Sequence, residues 1–163
     1  MSRLVRKIDR AKWLQNDIAN GQEVSADAIT NCMKTKANTL SVWEIDSASA
    51  LDDAVLAMAS QFDHLDTIDV VVLDESELDR AGLRIAATPG TTPVKRLADI
   101  HRDITALTYR TLGIVADFTV KCFQQDSVRR FTRGQLISLL KSAIHQGEIT
   151  ETDLKERVRS ALV

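Results

Sequence analysis

Lysine and arginine are missing from one long stretch of this sequence. Between Glu44 and Asp79 there are eleven acidic residues and no basic one. The other 127 residues carry 21 basic and 12 acidic groups, so the net charge of −2 combines −11 in this stretch with +9 outside it. Segregated charge steers oppositely charged partners, whereas well-mixed charge does not. We therefore interpret residues 44–79, called the acidic segment below, as a docking surface for a basic partner or a second copy of the chain.

Other absences exclude whole classes of protein. No apolar run approaches the roughly 20 residues that a membrane-spanning helix needs, and the basic stretch from Met1 to Trp13 lacks the apolar region of a secretory signal. The two cysteines, Cys32 and Cys122, are far apart and form neither a zinc-binding set nor a disulfide framework. We expect both to be small apolar fillers in a cytoplasmic protein. With 44% apolar residues, the chain has enough apolar surface for a folded core.

The middle of the chain predicts an α/β fold. Leu40 to Ile45 is rich in strand-forming residues, and Ile68 to Leu73 is apolar at every position but one. Between them, apolar residues from Leu51 to Phe62 repeat with helical spacing. Strand, helix and strand in succession predict a βαβ unit over residues 39–74, and a strand without alternation is typical of a parallel strand buried on both faces. The predicted fold class is α/β (or α+β).

The flanking segments are assigned from weaker patterns. Residues 3–13 have apolar spacing that suits a helix and alternation that suits an edge strand, so both assignments stay open. The cluster TPGTTP at residues 88–93 predicts a boundary between a small α/β domain, residues 1–88, and a helical region, residues 92–163. Apolar residues spaced three or four positions apart then predict a long helix over 93–124, which is either continuous or broken at Gly113. We expect the two parts to form one compact unit.

The last 32 residues predict a helical hairpin, over residues 132–162. Thr132 and Gln135 fit a capping box, and Gly147 stands where a helix-ending glycine belongs. The stretch LISLLKSAIHQGEITETDLKERVRSALV resembles the short C-terminal oligomerisation module known as SHOCT, although Leu154 stands where that module usually has phenylalanine. The matching residues are Leu136, Leu140, Gly147, Ile149, Thr150 and Leu154. The resemblance implies self-association or partner docking, not chemistry.

Arg96 and His101 are the only catalytic candidates. Their R-x4-H spacing resembles that of the HEPN ribonucleases, in which the arginine and histidine act together on the RNA backbone, usually across a dimer. That family is all-helical, whereas this chain has a predicted βαβ unit, and Leu97 stands where the family usually has a polar residue. The alternative is that both residues lie on the polar side of the long helix, close to Asp99 and Asp103.

No other catalytic or cofactor pattern is complete. The run VVVLDE at residues 70–75 has the form of a Walker B strand, but the phosphate-binding loop that nucleotide hydrolysis requires is missing. The spacing of the acidic residues matches no EF-hand, and the three histidines form no zinc-binding pair. We therefore predict no metal site and no cofactor.

Residues 80–133 carry ten basic and four acidic groups, which is enough to attract phosphate. Arg129, Arg130 and Arg133 form the densest local patch and are the candidate nucleic-acid-binding residues. The isoelectric point of about 5.9 and the low aromatic content of 4% argue against a dedicated nucleic-acid binder.

The charge pattern and the hairpin together predict a non-enzymatic protein-interaction subunit, without membrane contact. We expect an accessory component of a cytosolic, bacterial multi-protein complex, such as a defence or toxin-control system, that forms homo- or hetero-oligomers. The alternative is a small nucleic-acid-binding protein or HEPN-like ribonuclease that uses the basic 80–133 surface. The candidate partner-binding residues are Asp63, Asp66, Asp74, Glu75, Glu77, Leu136, Leu140, Ile149, Leu154 and Val158.

Overall fold

The computed structural model describes residues 2–163, and over this range six strands are interspersed with seven α-helices. The strands are β1 (Arg3–Ile8), β2 (Leu40–Ile45), β3 (Ile68–Asp74), β4 (Arg84–Ala87), β5 (His101–Thr105) and β6 (Val128–Phe131). The helices are α1 (Arg10–Trp13), α2 (Ala26–Cys32), α3 (Leu51–Ala59), α4 (Glu75–Arg80), α5 (Tyr109–Gln124), α6 (Arg133–His145) and α7 (Glu156–Ser160). Short 3₁₀ turns occupy Ile18–Asn20, Lys95–Ile100 and Glu151–Asp153.

All six strands belong to one sheet, in the order β4-β5-β2-β1-β3-β6, and every neighbouring pair is antiparallel. The Cα of Arg3 in β1 lies opposite both Ile45 of β2 and Asp74 of β3. Strands β2 and β3 therefore run in the same direction with β1 inserted between them. The predicted βαβ unit exists in this split form, and the prediction that β3 lies in a parallel pairing is wrong.

Helices cover both faces of the sheet, which is why β3 is apolar without alternation. On one face, Val5 and Val70 pack with α3 and α6. On the other face, Leu4 and Val71 pack with residues of α2 and α5. Successive residues of a strand point to opposite faces, so each central strand needs apolar side chains on both sides. The mixed α/β fold class predicted from the sequence is confirmed.

The long helix predicted over 93–124 is wrong for its first part. Lys95–Ile100 forms a 3₁₀ turn, and the next five residues form β5, which pairs with β2 and β4. Leu97 is buried in the core beneath α3, whereas Ile104 is buried on the opposite face of the sheet. The apolar residues spaced three or four positions apart therefore lie on both faces of the sheet, and their helical spacing is a coincidence. Pairing of β5 along two neighbouring strands outweighs the local helical pattern.

Two questions left open by the sequence have definite answers. Residues 3–13 contain both a strand, β1, and a short helix, α1. Helix α5 is continuous through Gly113, and it begins after Thr108, whose hydroxyl accepts a hydrogen bond from the Thr111 backbone N–H. Strands β5 and β6 both come from the 92–163 region that was expected to be helical, so that region also supplies part of the sheet.

The TPGTTP segment packs tightly against the sheet. A Cβ atom at Gly90 would lie 2.9 Å from the Trp43 ring and 3.0 Å from His101 Cβ, so only glycine fits there. The Gly90 N–H donates to the carbonyl oxygen of Ala98 at 2.9 Å, and Thr92 is buried. This segment holds the end of β4 close to the 3₁₀ turn that carries Arg96.

The first helix of the C-terminal hairpin begins and ends as its local signals predict. Thr132 and Gln135 make the reciprocal hydrogen bonds of a capping box at the start of α6. Gly147 has a φ of 72°, the left-handed conformation that favours glycine after a helix. Thr150 and Asp153 form a second capping box at the following 3₁₀ turn, and α7 completes the hairpin.

Candidate functional site

The acidic segment and the basic region that follows it neutralise each other in part. Each of four carboxylates of the acidic segment forms an ion pair with a basic residue between positions 96 and 130. The pairs are Glu44–Arg102, Asp53–Arg96, Asp69–Arg130 and Glu77–Lys121. The charge separation seen along the chain is thus reduced by folding, and these four acidic residues already have partners.

The best-defined of these pairs lies across the β3–β6 ladder. Asp69 is 6% exposed, and its two carboxylate oxygens accept hydrogen bonds from Arg130 Nε at 2.9 Å and Nη2 at 3.0 Å. The two residues lie opposite each other in the antiparallel register, which places them side by side. The bonds to Asp69 raise the pKa of Arg130. Arg130 therefore neutralises a buried carboxylate at the sheet edge.

The remaining candidate nucleic-acid-binding residues are only partly available. Arg129 Nη1 donates to the carbonyl oxygens of Asp126 and Val128, at 2.7 and 3.2 Å. Arg133 is exposed at the first position of α6, and it makes no hydrogen bond or ion pair within residues 2–163. Of the predicted patch, only Arg133 has no other partner.

Arg96 connects three parts of the structure. Its Nη2 donates to Asp53 of α3 at 2.8 Å, and its Nε donates to Glu148 of the hairpin loop at 2.9 Å. These two carboxylates raise the pKa of Arg96 above its ordinary value. The guanidinium thus fastens the C-terminal hairpin to α3 through the 3₁₀ turn.

His101 takes part in a separate polar network on β5. Its Nδ1 lies 3.0 Å from Thr88 Oγ1 and 2.9 Å from the Thr88 carbonyl oxygen, and Thr88 Oγ1 donates to Asp103 at 2.9 Å. The Trp43 ring packs edge-on against the imidazole, with 4.9 Å between ring centroids. Arg96 and His101 therefore have different partners, and the expectation that both lie on the polar side of one long helix is wrong, because Arg96 lies in a 3₁₀ turn and His101 begins β5.

The five candidate acidic residues do not form one surface. Asp63 and Asp66 lie in the loop before β3, where Asp66 pairs with His64 at 2.9 Å. Asp74, Glu75 and Glu77 follow the other end of β3, about 20 Å away at a rise of about 3.3 Å per residue. Asp74 caps α4, since its Oδ1 accepts from the Glu77 N–H at 3.1 Å and the Ser76 hydroxyl at 2.6 Å. These contacts lower the pKa of Asp74, with the Ser76 hydrogen bond as the largest cause.

A small acidic pocket lies beside α4, where β3 ends. Its volume is about 310 Å3, and we call it the acidic pocket. It is lined by Ser2, Glu75, Ser76, Asp79 and Ile85. Glu75 and Asp79 are four residues apart on α4 and so share one side of the helix. Neither carboxylate forms an ion pair within the described range 2–163.

Of these five residues, only Glu75 was a sequence candidate. The four-residue spacing between Glu75 and Asp79 is visible in the sequence and could have identified Asp79 as a second candidate. Ser2 and Ile85 are brought to the pocket by the strand order, which no local pattern shows.

The candidate apolar residues of the hairpin are all inside the core of this chain. Leu136 and Leu140 are 0% exposed, and Ile149, Leu154 and Val158 are at most 4% exposed. They pack in the layer formed by α3, α6 and one face of the sheet. In this structure these five side chains cannot meet a partner, because they are covered by their own chain. The SHOCT resemblance itself stays a prediction.

Three further findings concern metal ions, membrane-spanning helices and similar proteins. Within residues 2–163 no group of three or more histidine, cysteine, aspartate and glutamate side chains is placed to hold a metal ion. No helix in that range is long and apolar enough to cross a membrane. Comparisons with protein-family models, with curated proteins and with solved structures each give no match.

Proposed function

We propose that this protein is a non-enzymatic interaction subunit of a cytosolic multi-protein complex, and that it binds a basic segment of a partner protein through the acidic pocket. The observation that carries the proposal is the pair of carboxylates, Glu75 and Asp79, that line this pocket without an ion pair. A lysine or arginine side chain supplies the positive charge that the pocket lacks.

The other walls of the pocket suit the same kind of side chain. The Ser2 hydroxyl donates to Glu44 at 2.8 Å, and the Ser76 hydroxyl donates to Asp74. Each serine oxygen keeps lone pairs that can accept from an ammonium or guanidinium group. Ile85 offers apolar surface for the methylene stem that carries the charge. Carboxylate, hydroxyl and apolar groups together match a long cationic side chain.

The nearest cation on α4 does not compete for this role. Arg80 Nε donates to the Ser76 carbonyl oxygen at 3.1 Å, and its charge helps to lower the pKa of Asp74. Arg80 is not among the residues that line the pocket. The pocket therefore keeps its negative charge when Arg80 is in place.

The proposal is tested by titrating the full chain with a short peptide of lysine and glycine, using calorimetry at low and high salt. We expect binding that weakens with salt, because exposed charges are screened. The double variant E75Q/D79N should weaken binding about tenfold, since each exposed pair contributes ~0.2–1 kcal/mol. Its stability should change by less than about 0.5 kcal/mol, as for most surface substitutions.

The matched control is the double variant D63N/D66N, which makes the same change of charge at the opposite end of β3. It should bind the peptide as the unaltered protein does. Equal weakening by both double variants would show that net charge, not the pocket, attracts the peptide. Absence of binding at low salt, or self-assembly in light scattering that the peptide does not disturb, would contradict a basic partner at this pocket.

A further inference from the structure

Arg6 is a partly buried cation in the middle of the sheet. It belongs to β1, which lies between β2 and β3. Its Nη1 donates to the Ser41 carbonyl oxygen at 2.6 Å, and its Nη2 donates to the Cys32 carbonyl oxygen at 2.7 Å. Its Nε is buried and has no hydrogen-bond partner within residues 2–163. Burial lowers the pKa of Arg6 to about 10.

No carboxylate within the described residues pairs with Arg6, although acidic side chains are close by. Asp69 is engaged with Arg130, and Asp66 is engaged with His64. A charge removed from water without a counter-charge is costly, and a buried N–H without an acceptor adds to that cost. The Arg6 guanidinium thus has two neutral carbonyl acceptors and no paired carboxylate, although Asp66 and Asp69 line the same pocket.

Arg6 lines a partly open polar pocket at this end of the sheet, which we call the arginine pocket. Its volume is about 510 Å3, within the range of small-ligand sites. Arg10 and Asn31 also line it, and within residues 2–163 their side chains make no hydrogen bond or ion pair. The wall includes Cys32, whose sulfur accepts the Asp9 backbone N–H at 3.0 Å.

We propose that the arginine pocket binds a small ligand carrying an oxyanion, either a phosphate or a carboxylate. The oxyanion neutralises Arg6, and the side chains of Arg10 and Asn31 hold it from the rim by hydrogen bonds. Asp9 also lines the pocket, and its carboxylate is available to accept a hydrogen bond from a hydroxyl group on the ligand. This site lies at the opposite end of β3 from the acidic pocket, and it does not depend on the function proposed above.

The test is a titration of the full chain with inorganic phosphate and, separately, with malonate, followed by ¹H–¹⁵N NMR. We expect saturable shifts of the Asn31 amide side chain and of the Cys32 and Asp9 backbone amides. The anion whose shifts saturate at the lower concentration, phosphate or malonate, identifies the kind of oxyanion that the pocket binds. The R10Q variant should weaken binding about tenfold through loss of one charge-assisted contact. R3Q, on the strand that carries Arg6 but outside the pocket, should leave binding unchanged.

R10Q is used in place of R6M, because R6M would remove two bonds to the backbone and can lower stability by itself. The proposal is overturned if neither anion gives saturable shifts at Asn31, or if R10Q binds as tightly as R3Q.

Discussion

Two regions of this chain were expected to meet partners, and the fold uses them in opposite ways. The hairpin at residues 132–162 directs its apolar stripe into the core of its own chain. The acidic segment is also tied to the rest of the chain, through four ion pairs, but it keeps exposed carboxylates such as Asp46 and Asp79 without such pairs. Burial against apolar surface of the same chain stabilises an apolar stripe, whereas an exposed charge is stable in water.

The difference shows which sequence signals point to partners. A helix with one apolar face predicts only that the face is covered, and here the sheet and α3 cover it. Unpaired charge that remains after folding is open to an external partner, because no internal contact occupies it. For that reason the proposed docking site lies on α4 and not on the hairpin.

The largest effect on stability is expected from a substitution in the apolar stripe of the hairpin. Leu140 is 0% exposed in α6, so L140A should lower the free energy of unfolding by about 2–5 kcal/mol through lost burial and a residual cavity. L139A, at the adjacent and partly exposed position, should cost clearly less. Urea denaturation of both variants checks this. Equal and small losses would mean that the stripe of α6 is not part of the core in solution.

A smaller effect separates two neighbouring residues of the acidic segment. Asp74 caps α4, so D74A should lower stability by about 1 kcal/mol at neutral pH, while E75Q should leave it nearly unchanged. The folded state lowers the pKa of Asp74 from its ordinary 3.8. Its stabilisation is therefore complete above that ordinary value and is lost as the pH falls through the lowered pKa.

The control for this effect is D74N, which keeps a capping side chain but does not titrate. Urea denaturation between neutral pH and pH 3 should show the gap between the unaltered protein and D74A closing at acid pH. The stability of D74N should lack this contribution to the pH dependence. A gap between D74A and the unaltered protein that does not change with pH would mean that the Asp74 carboxylate does not stabilise the fold by its charge.

The features that could be predicted from the sequence are those decided within a few residues. Thr132 and Gly147 mark helix ends, and each does so in the structure because capping depends on adjacent backbone groups. The strand–helix–strand succession of β2, α3 and β3 was likewise visible. Local chemistry determines these elements, and tertiary packing does not override them.

The features that escaped prediction depend on residues far apart in sequence. The 3₁₀ turn and β5 together resemble a helix in sequence, because Leu97 and Ile104 keep a helical spacing while packing on opposite faces of the sheet. The insertion of β1 between β2 and β3 creates both pockets. The pairing of Asp69 with Arg130 follows from the β3–β6 register, 61 positions apart. Glu75 was a candidate, but Ser2 and Arg6 reach their pockets only through the strand order.

The most direct test of the account is hydrogen exchange of the full chain with and without the lysine–glycine peptide. We predict that the amides of α6 are among the most protected and do not respond to the peptide, because the hairpin is core. The amides of α4, residues Glu75–Arg80, should gain protection when the acidic pocket is filled. Slower exchange in α6 on peptide binding, with no change in α4, would contradict the account, because it would make the hairpin the docking surface.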